Sequence, residues 1–202
     1  MPHTMASSMR FWTSAETASH GLRVCVAAAW LAVAGLAQAA GIELRNFTAG
    51  PGDDGHEVSV NADFELPQAL ETLLEKGVTL TFRVEVEITR PRWWWFNERV
   101  TRKVVNHRLS YQTLTRQYRL TTGEIQHSYA TLQEALRKIT RIRNWTVAEK
   151  AELKPGSAHE AVFRIYHDVS QLPKPLQVTA FANTDWELSA EPRRWTFTPE
   201  AK

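Results

Sequence analysis

Hydrolytic chemistry needs either a pair of carboxylates or an activated nucleophile, and this chain offers both only as scattered residues. Asp63, Glu65, Glu85, Glu87 and Asp168 could serve as general acid and base if folding set two of them on either side of a bond. His167-Asp168 ends an alternating segment and invites a general-base role. No Ser or Cys nucleophile stands beside it, and an Asp so placed more often ties a turn through its carboxylate. The chain has no Gly-x-Ser-x-Gly elbow, phosphate loop, dinucleotide fingerprint or His-Glu-x-x-His. His56, His107, His127, His159 and His167 do not recur at the i, i+2 or i, i+4 spacing that chelation favours, so they read as exposed strand or turn residues. The single Cys25 excludes a Cys-based zinc site and an internal disulfide. No catalytic residue, cofactor or metal is assigned, and no enzymatic activity is expected.

Arg90-Pro91-Arg92-Trp93-Trp94-Trp95-Phe96 is the unusual feature. In a strand, successive side chains point to opposite faces, so alternation places Trp94 opposite Trp93 and Trp95, and at least one indole is exposed or lies under an arginine. Arg90, Arg92, Arg99 and Arg102 are near enough in sequence to stack on the rings. One reading is a Trp-Arg ladder that stiffens the tip of a long hairpin. The other is a binding ridge formed by Arg90, Arg92, Trp93, Trp94, Trp95 and Phe96, since Trp and Arg are enriched in interface hot spots.

The elements that must position these residues follow from hydrophobic period. Val58, Val60, Ala62 and Phe64 alternate with polar residues, and Val78, Leu80, Phe82, Val84, Val86 and Ile88 do so over a longer run. Each predicts a strand with one face on a core and the other, including Thr81, wet. Arg99–Tyr111 is expected to pair antiparallel with the longer run, setting Glu85 and Glu87 near Arg102, Lys103 or Arg108. Further strands are predicted at 42–48, 114–121, 124–129, 146–153, 161–168, 176–182 and 186–198. Pro67–Lys76 reads as a short helix stopped by Gly77. A second opens on the capping box Thr131-Leu132-Gln133-Glu134 and carries Leu132, Ala135, Leu136, Ile139 and Ile142 on one face. Its other face, Arg137, Lys138, Arg141 and Arg143, reads as a solvated helix side. The prolines of Leu172-Pro173-Lys174-Pro175-Leu176 predict a rigid extended edge segment. The fold class is mainly β, an antiparallel β-sandwich, immunoglobulin-like in general architecture, with two short helices.

The chain has 202 residues, 43% hydrophobic and 23% charged, and a formal charge of +2, which leaves no large field for nucleic acid. Val24–Leu36 is apolar and uncharged, preceded by Arg10 and Arg23 and followed by Ala37-Gln38-Ala39. That order predicts a cleaved signal peptide over residues 1–39, cut between Ala39 and Ala40, and a single exported domain over 40–202. The apolar run falls short of the roughly 20 residues a bilayer span needs. Cys25 inside the run disfavours a lipoprotein.

Arg90-Pro91-Arg92-Trp93-Trp94-Trp95, Tyr118-Arg119-Leu120 followed by Gly123, Leu132-Gln133-Glu134-Ala135-Leu136, and Asp168 leading into Leu172-Pro173-Lys174-Pro175-Leu176-Gln177 occur in that order. Together they resemble an uncharacterised proteobacterial exported family, domain of unknown function 4390. The resemblance implies a Gram-negative bacterium, export across the inner membrane, and a gene often near a two-component sensor kinase. It carries no catalytic role. The reading is therefore a periplasmic, non-enzymatic interaction or ligand-sensing accessory whose partner is an envelope or inner-membrane protein. Two competing readings stay open. One is a membrane-associated module held by an uncleaved N-terminal helix and the Trp ridge. The other is a cell-envelope glycan-binding or glycan-hydrolysing protein.

Overall fold

Period-two patterning governs the chain, and nine strands form among the described residues. The computed structural model describes residues 41–94, 96–181 and 186–200, so the predicted signal segment and the Ala39/Ala40 cleavage lie outside them. In chain order the elements are β1 (Glu43–Pro51), β2 (Gly55–Asp63), α1 (Gln68–Glu75), β3 (Leu80–Arg90), β4 (Glu98–Gln112), β5 (Gln117–Thr122), β6 (Ile125–Tyr129), α2 (Leu132–Thr140), β7 (Arg141–Glu149), β8 (His159–His167), α3 (Lys174–Phe181) and β9 (Arg193–Phe197). The paired strands run antiparallel in two sheets, ordered β1-β2-β7 and β6-β5-β4-β3-β8-β9.

The sheets face each other across one apolar core. Leu80, Phe82, Val84, Val86 and Ile88 of β3 are buried, as are Val58, Val60 and Ala62 of β2. Aromatic rings bridge the layers: Phe47 of β1 lies 5.8 Å from Phe163 of β8 and 5.0 Å from Trp195 of β9. This is the antiparallel sandwich that the alternation implies. Gly55 opens β2 where a Cβ would sit 1.9 Å from the Ala148 carbonyl oxygen, so only glycine lets β2 and β7 approach there.

The two predicted helices form, each for the reason given by its ends. In α1, Leu70 and Leu74 are buried, and Gly77 at φ +84° turns the chain so that its N–H and that of Val78 donate to the Leu74 and Leu73 carbonyls. In α2 the Thr131 hydroxyl accepts the Glu134 N–H at 3.3 Å. That helix ends at Thr140 and passes directly into β7, so Ile142, Arg141 and Arg143 belong to a strand and not to the helix surface.

Three expectations are corrected. Residues 174–181 form α3 instead of an extended segment followed by a strand. Leu176, Val178 and Ala180 mimic alternation, but Val178 is exposed while Ala180 is buried, the i, i+4 pattern of a helix. Pro173 and Pro175 sit at the helix start, where a missing N–H costs nothing, and Gln177 fastens the turn by donating to the Ser170 and Leu172 carbonyls at 2.8 and 2.7 Å. Within 186–198 only Arg193–Phe197 is strand, because Pro192 breaks the ladder; Ser189 and Ala190 make isolated bridges. The outer face of β3 is also drier than alternation suggests, since Thr81 and Glu85 are 6% and 3% exposed. Glu85 lies beneath Arg102 and Arg164, as described below.

Candidate functional site

β3 and β4 form the longest hairpin, and its connection carries the aromatic run. Arg90 pairs with Glu98 across the last rung, and Pro91, lacking an N–H, ends the ladder. Trp93 and Trp94 therefore lie in a turn and not on a strand, which replaces the expected alternation. Trp93 is 90% exposed, Trp94 64% and Phe96 84%. The two indoles meet edge to face, centroids 4.9 Å apart at 76°. Trp95 lies outside the described residues.

Sequence spacing suggests that the arginines stack on these rings; among the described residues they pair with carboxylates. Arg90 and Arg92 both converge on Glu98, the latter at 2.6 Å. These two bonds hold the Glu98 carboxyl below the usual carboxylate range. Arg99 goes to Glu87 at 2.8 Å and Arg102 to Glu85 at 2.8 Å. Asn97 donates to Glu160 of β8 at 3.3 Å, and the ladder steps by one residue between Ile88 and Thr89 just below the tip. The base of the turn is thus clamped by ion pairs, while the two described indoles project into solvent. Sequence spacing brings these residues together; it does not show that the arginines pair with Glu98, Glu87 and Glu85.

Four of the five scattered carboxylates, Asp63, Glu85, Glu87 and Asp168, are held in ion pairs, while Glu65 is exposed and pairs with no cation among the described residues. Glu85 accepts from Arg102 at 2.8 Å and Arg164 at 3.0 Å; burial pushes its carboxyl up, and the two guanidiniums outweigh that, leaving it below its ordinary value. Asp63 pairs with Arg45 at 2.5 Å. A general acid needs the opposite, a carboxyl held protonated near neutral pH. Asp168 caps a short 3₁₀ turn (Val169–Gln171), accepting from the Ser170 N–H at 3.2 Å and hydroxyl at 2.6 Å, and it pairs with Arg83 at 2.9 Å. His167 faces the core beside Phe82 and bonds through Nδ1 to the Trp186 carbonyl at 3.1 Å. The turn reading of Asp168 holds, and each side chain of the pair is taken up by other partners.

The histidines depart from expectation: His56, His159 and His167 are buried, not exposed. His56 stacks on Phe197 at 3.8 Å and accepts the Trp195 indole N–H at 3.2 Å. His56 falls in phase with Val58, Val60 and Ala62, and His159 and His167 with Ala161, Phe163 and Ile165, so the period-two pattern that marks the core face also places these imidazoles on it.

The structure is a two-layer antiparallel sandwich whose exposed indoles sit at the ion-paired end of its longest hairpin. The chain belongs to the family described as domain of unknown function 4390, whose model matches residues 39–196. No curated protein and no solved structure matches it.

Proposed function

We propose that the chain is an exported, periplasmic, non-enzymatic interaction protein whose β3–β4 tip docks onto a protein of the bacterial envelope. The observation that carries this reading is the pair of exposed indoles, Trp93 and Trp94, on a turn whose base is locked by Arg90 and Arg92 to Glu98. Exposed aromatics held in place beforehand lose little entropy on binding, and Trp and Arg dominate interface hot spots. A protein surface is favoured over an anionic bilayer because the nearby guanidiniums already share carboxylates. The gene neighbourhood that the family resemblance implies makes an inner-membrane sensor kinase the first partner to test.

Export is tested by mass spectrometry of the envelope-fraction protein, which should begin at or within a few residues of Ala40. An intact residue 1 recovered from the soluble cytoplasm would overturn the localisation. Docking is tested with purified partner candidates first identified by pull-down from solubilised envelope. Trp93→Ala should weaken direct binding by about 2 kcal/mol or more and leave the melting temperature unchanged. A melting loss of several degrees with unchanged binding would make the ring scaffold. Vesicle binding that depends on Trp93, with no protein bound, would replace the protein partner by the bilayer.

A further inference from the structure

A second surface, remote in sequence from the hairpin tip, gathers cations that form no ion pair among the described residues. Tyr129, Glu134, Arg137, Lys138, Arg141 and Arg143 line one open groove of about 1070 Å³ between α2 and β7. The four cations are exposed, and among the described residues none lies within ion-pair distance of a carboxylate. The arginines near the hairpin tip behave differently, for Arg90, Arg92, Arg99 and Arg102 are all paired, as is Arg164 of β8. Four cations facing one carboxylate make a local field that the net charge of +2 conceals.

The backbone is shaped to produce this grouping. α2 enters β7 with no intervening loop, which sets Arg137 and Lys138 of the last helical turn beside Arg141 and Arg143 of the strand. β7 then bulges: Val60 pairs with Ile142 and Val58 with Trp145, so Ser59 alone opposes Arg143 and Asn144. Asn144 takes φ +46°, a left-handed conformation that Asn tolerates better than other side chains. Ser59 fixes it, its hydroxyl accepting the Asn144 N–H at 2.9 Å and donating to the Asn144 side-chain oxygen at 3.2 Å. Because of the extra residue, Ile142 and Trp145 both pack on the core, while Arg141, Arg143 and Asn144 remain exposed in a row. The field also reaches inward: His107 is pushed down to about 4, by burial first and then by the Lys138 charge.

We propose that this groove binds a ligand carrying two or more phosphate groups. Guanidinium forks match phosphate oxygens in pairs, and Lys138 adds a point charge. A lipid headgroup and a soluble polyphosphate share that chemistry. The proposal is independent of the tip.

The test uses the protein purified from the envelope, with inorganic tripolyphosphate as probe in isothermal titration calorimetry. Saturable binding is expected, weakening as salt rises from about 50 to 200 mM because bound phosphates release counterions. Replacing both Arg141 and Arg143 by Gln should cost about tenfold or more in affinity, with unchanged melting. Arg137→Gln with Lys138→Gln serves if the strand variant fails to fold. Arg194→Gln, on exposed β9, and Trp93→Ala should bind like the parent. Vesicles containing cardiolipin, whose headgroup carries two phosphates, competed off by tripolyphosphate, would identify a headgroup as the source; tripolyphosphate binding without vesicle binding would identify a soluble one. Binding of neither probe overturns the proposal. So does an equal loss in Arg194→Gln, which would mean diffuse charge and not a site.

Discussion

Replacing Phe82 by Ala should destabilise the domain by about 3 to 5 kcal/mol, the range for emptying a buried aromatic position. Phe82 is fully buried in β3, with its ring 5.5 Å from Phe64 and 5.7 Å from His167. β3 lies between β4 and β8, so neither neighbour is free to close over the void. For a domain whose whole stability is of the order of 5 to 15 kcal/mol, the loss is a large share. Thr81 does not serve as the neutral control that alternation suggests, because it is buried and its carbonyl accepts the Asp168 N–H at 2.7 Å. Val104, 41% exposed on the outer face of β4, does: Val104→Thr should stay within about 0.5 kcal/mol. Urea unfolding of the two variants decides. Equal losses would mean that the buried face of the six-stranded sheet has been assigned to the wrong side.

That contrast also shows which parts of the fold the sequence makes legible. Period two is imposed wherever a strand has one face on the core, so β2, β3 and the pairing of β3 with β4 could be read from hydrophobic spacing and complementary charge. Glu85 does meet Arg102 as expected. α3 escaped because Leu176 and Ala180 satisfy both periods; what decides is Gln177 bonding back to Ser170 and Leu172, a contact with no periodic signature. The outer face of β3 was misjudged because a carboxylate such as Glu85 can be buried once two arginines from neighbouring strands close over it.

The candidate sites divide along the same line. Residue types concentrated at the tip were visible because three consecutive tryptophans suit no buried strand. Their conformation was not, since Pro91 and the arginine pairs to Glu98 turn the segment out of the ladder. The groove was hidden more deeply. Arg137, Lys138, Arg141 and Arg143 do lie together, but not as one helix face, for a strand that begins immediately after Thr140 and a bulge opposite Ser59 create their arrangement.

Stability should fall steeply as pH drops from about 7 toward 4.5, and three histidines are the cause: His56 and His167 in the core and the half-buried His107. An imidazole in the unfolded chain takes up its proton near pH 6.5. In the folded protein His107 does so only at about 4, because burial and then the Lys138 charge disfavour the cation. Burial also lowers His56, with His159 beside it adding to the effect, and it lowers His167, partly offset by the Trp186 carbonyl and Asp168. The geometry agrees. His56 Nε2 accepts the Trp195 indole N–H, a bond its protonation would break, and His167 Nε2 is buried without a hydrogen-bond partner. Across this window the unfolded state holds more protons than the folded one, so acid favours unfolding; above about pH 7 both states are neutral at these groups and the dependence vanishes. For His107 alone the shift amounts to at most about 3 kcal/mol, all of it lost once the pH is below 4. Glu85 and Glu98, both lowered by arginines, act in the same direction only below their unfolded value near 4.5, which leaves the window above it to the histidines. Urea titrations at half-unit steps from pH 7.5 to 4.5 measure the slope. His107→Gln should reduce it near pH 5 by about 1.2 kcal/mol per pH unit, close to one proton, whatever it does to stability at neutral pH. Val104→Thr, which removes no titrating group, should leave the slope unchanged. A flat profile between pH 7 and 5 would mean that the unfolded and folded chains bind equal protons, and the buried imidazoles would then have to be charged within the core.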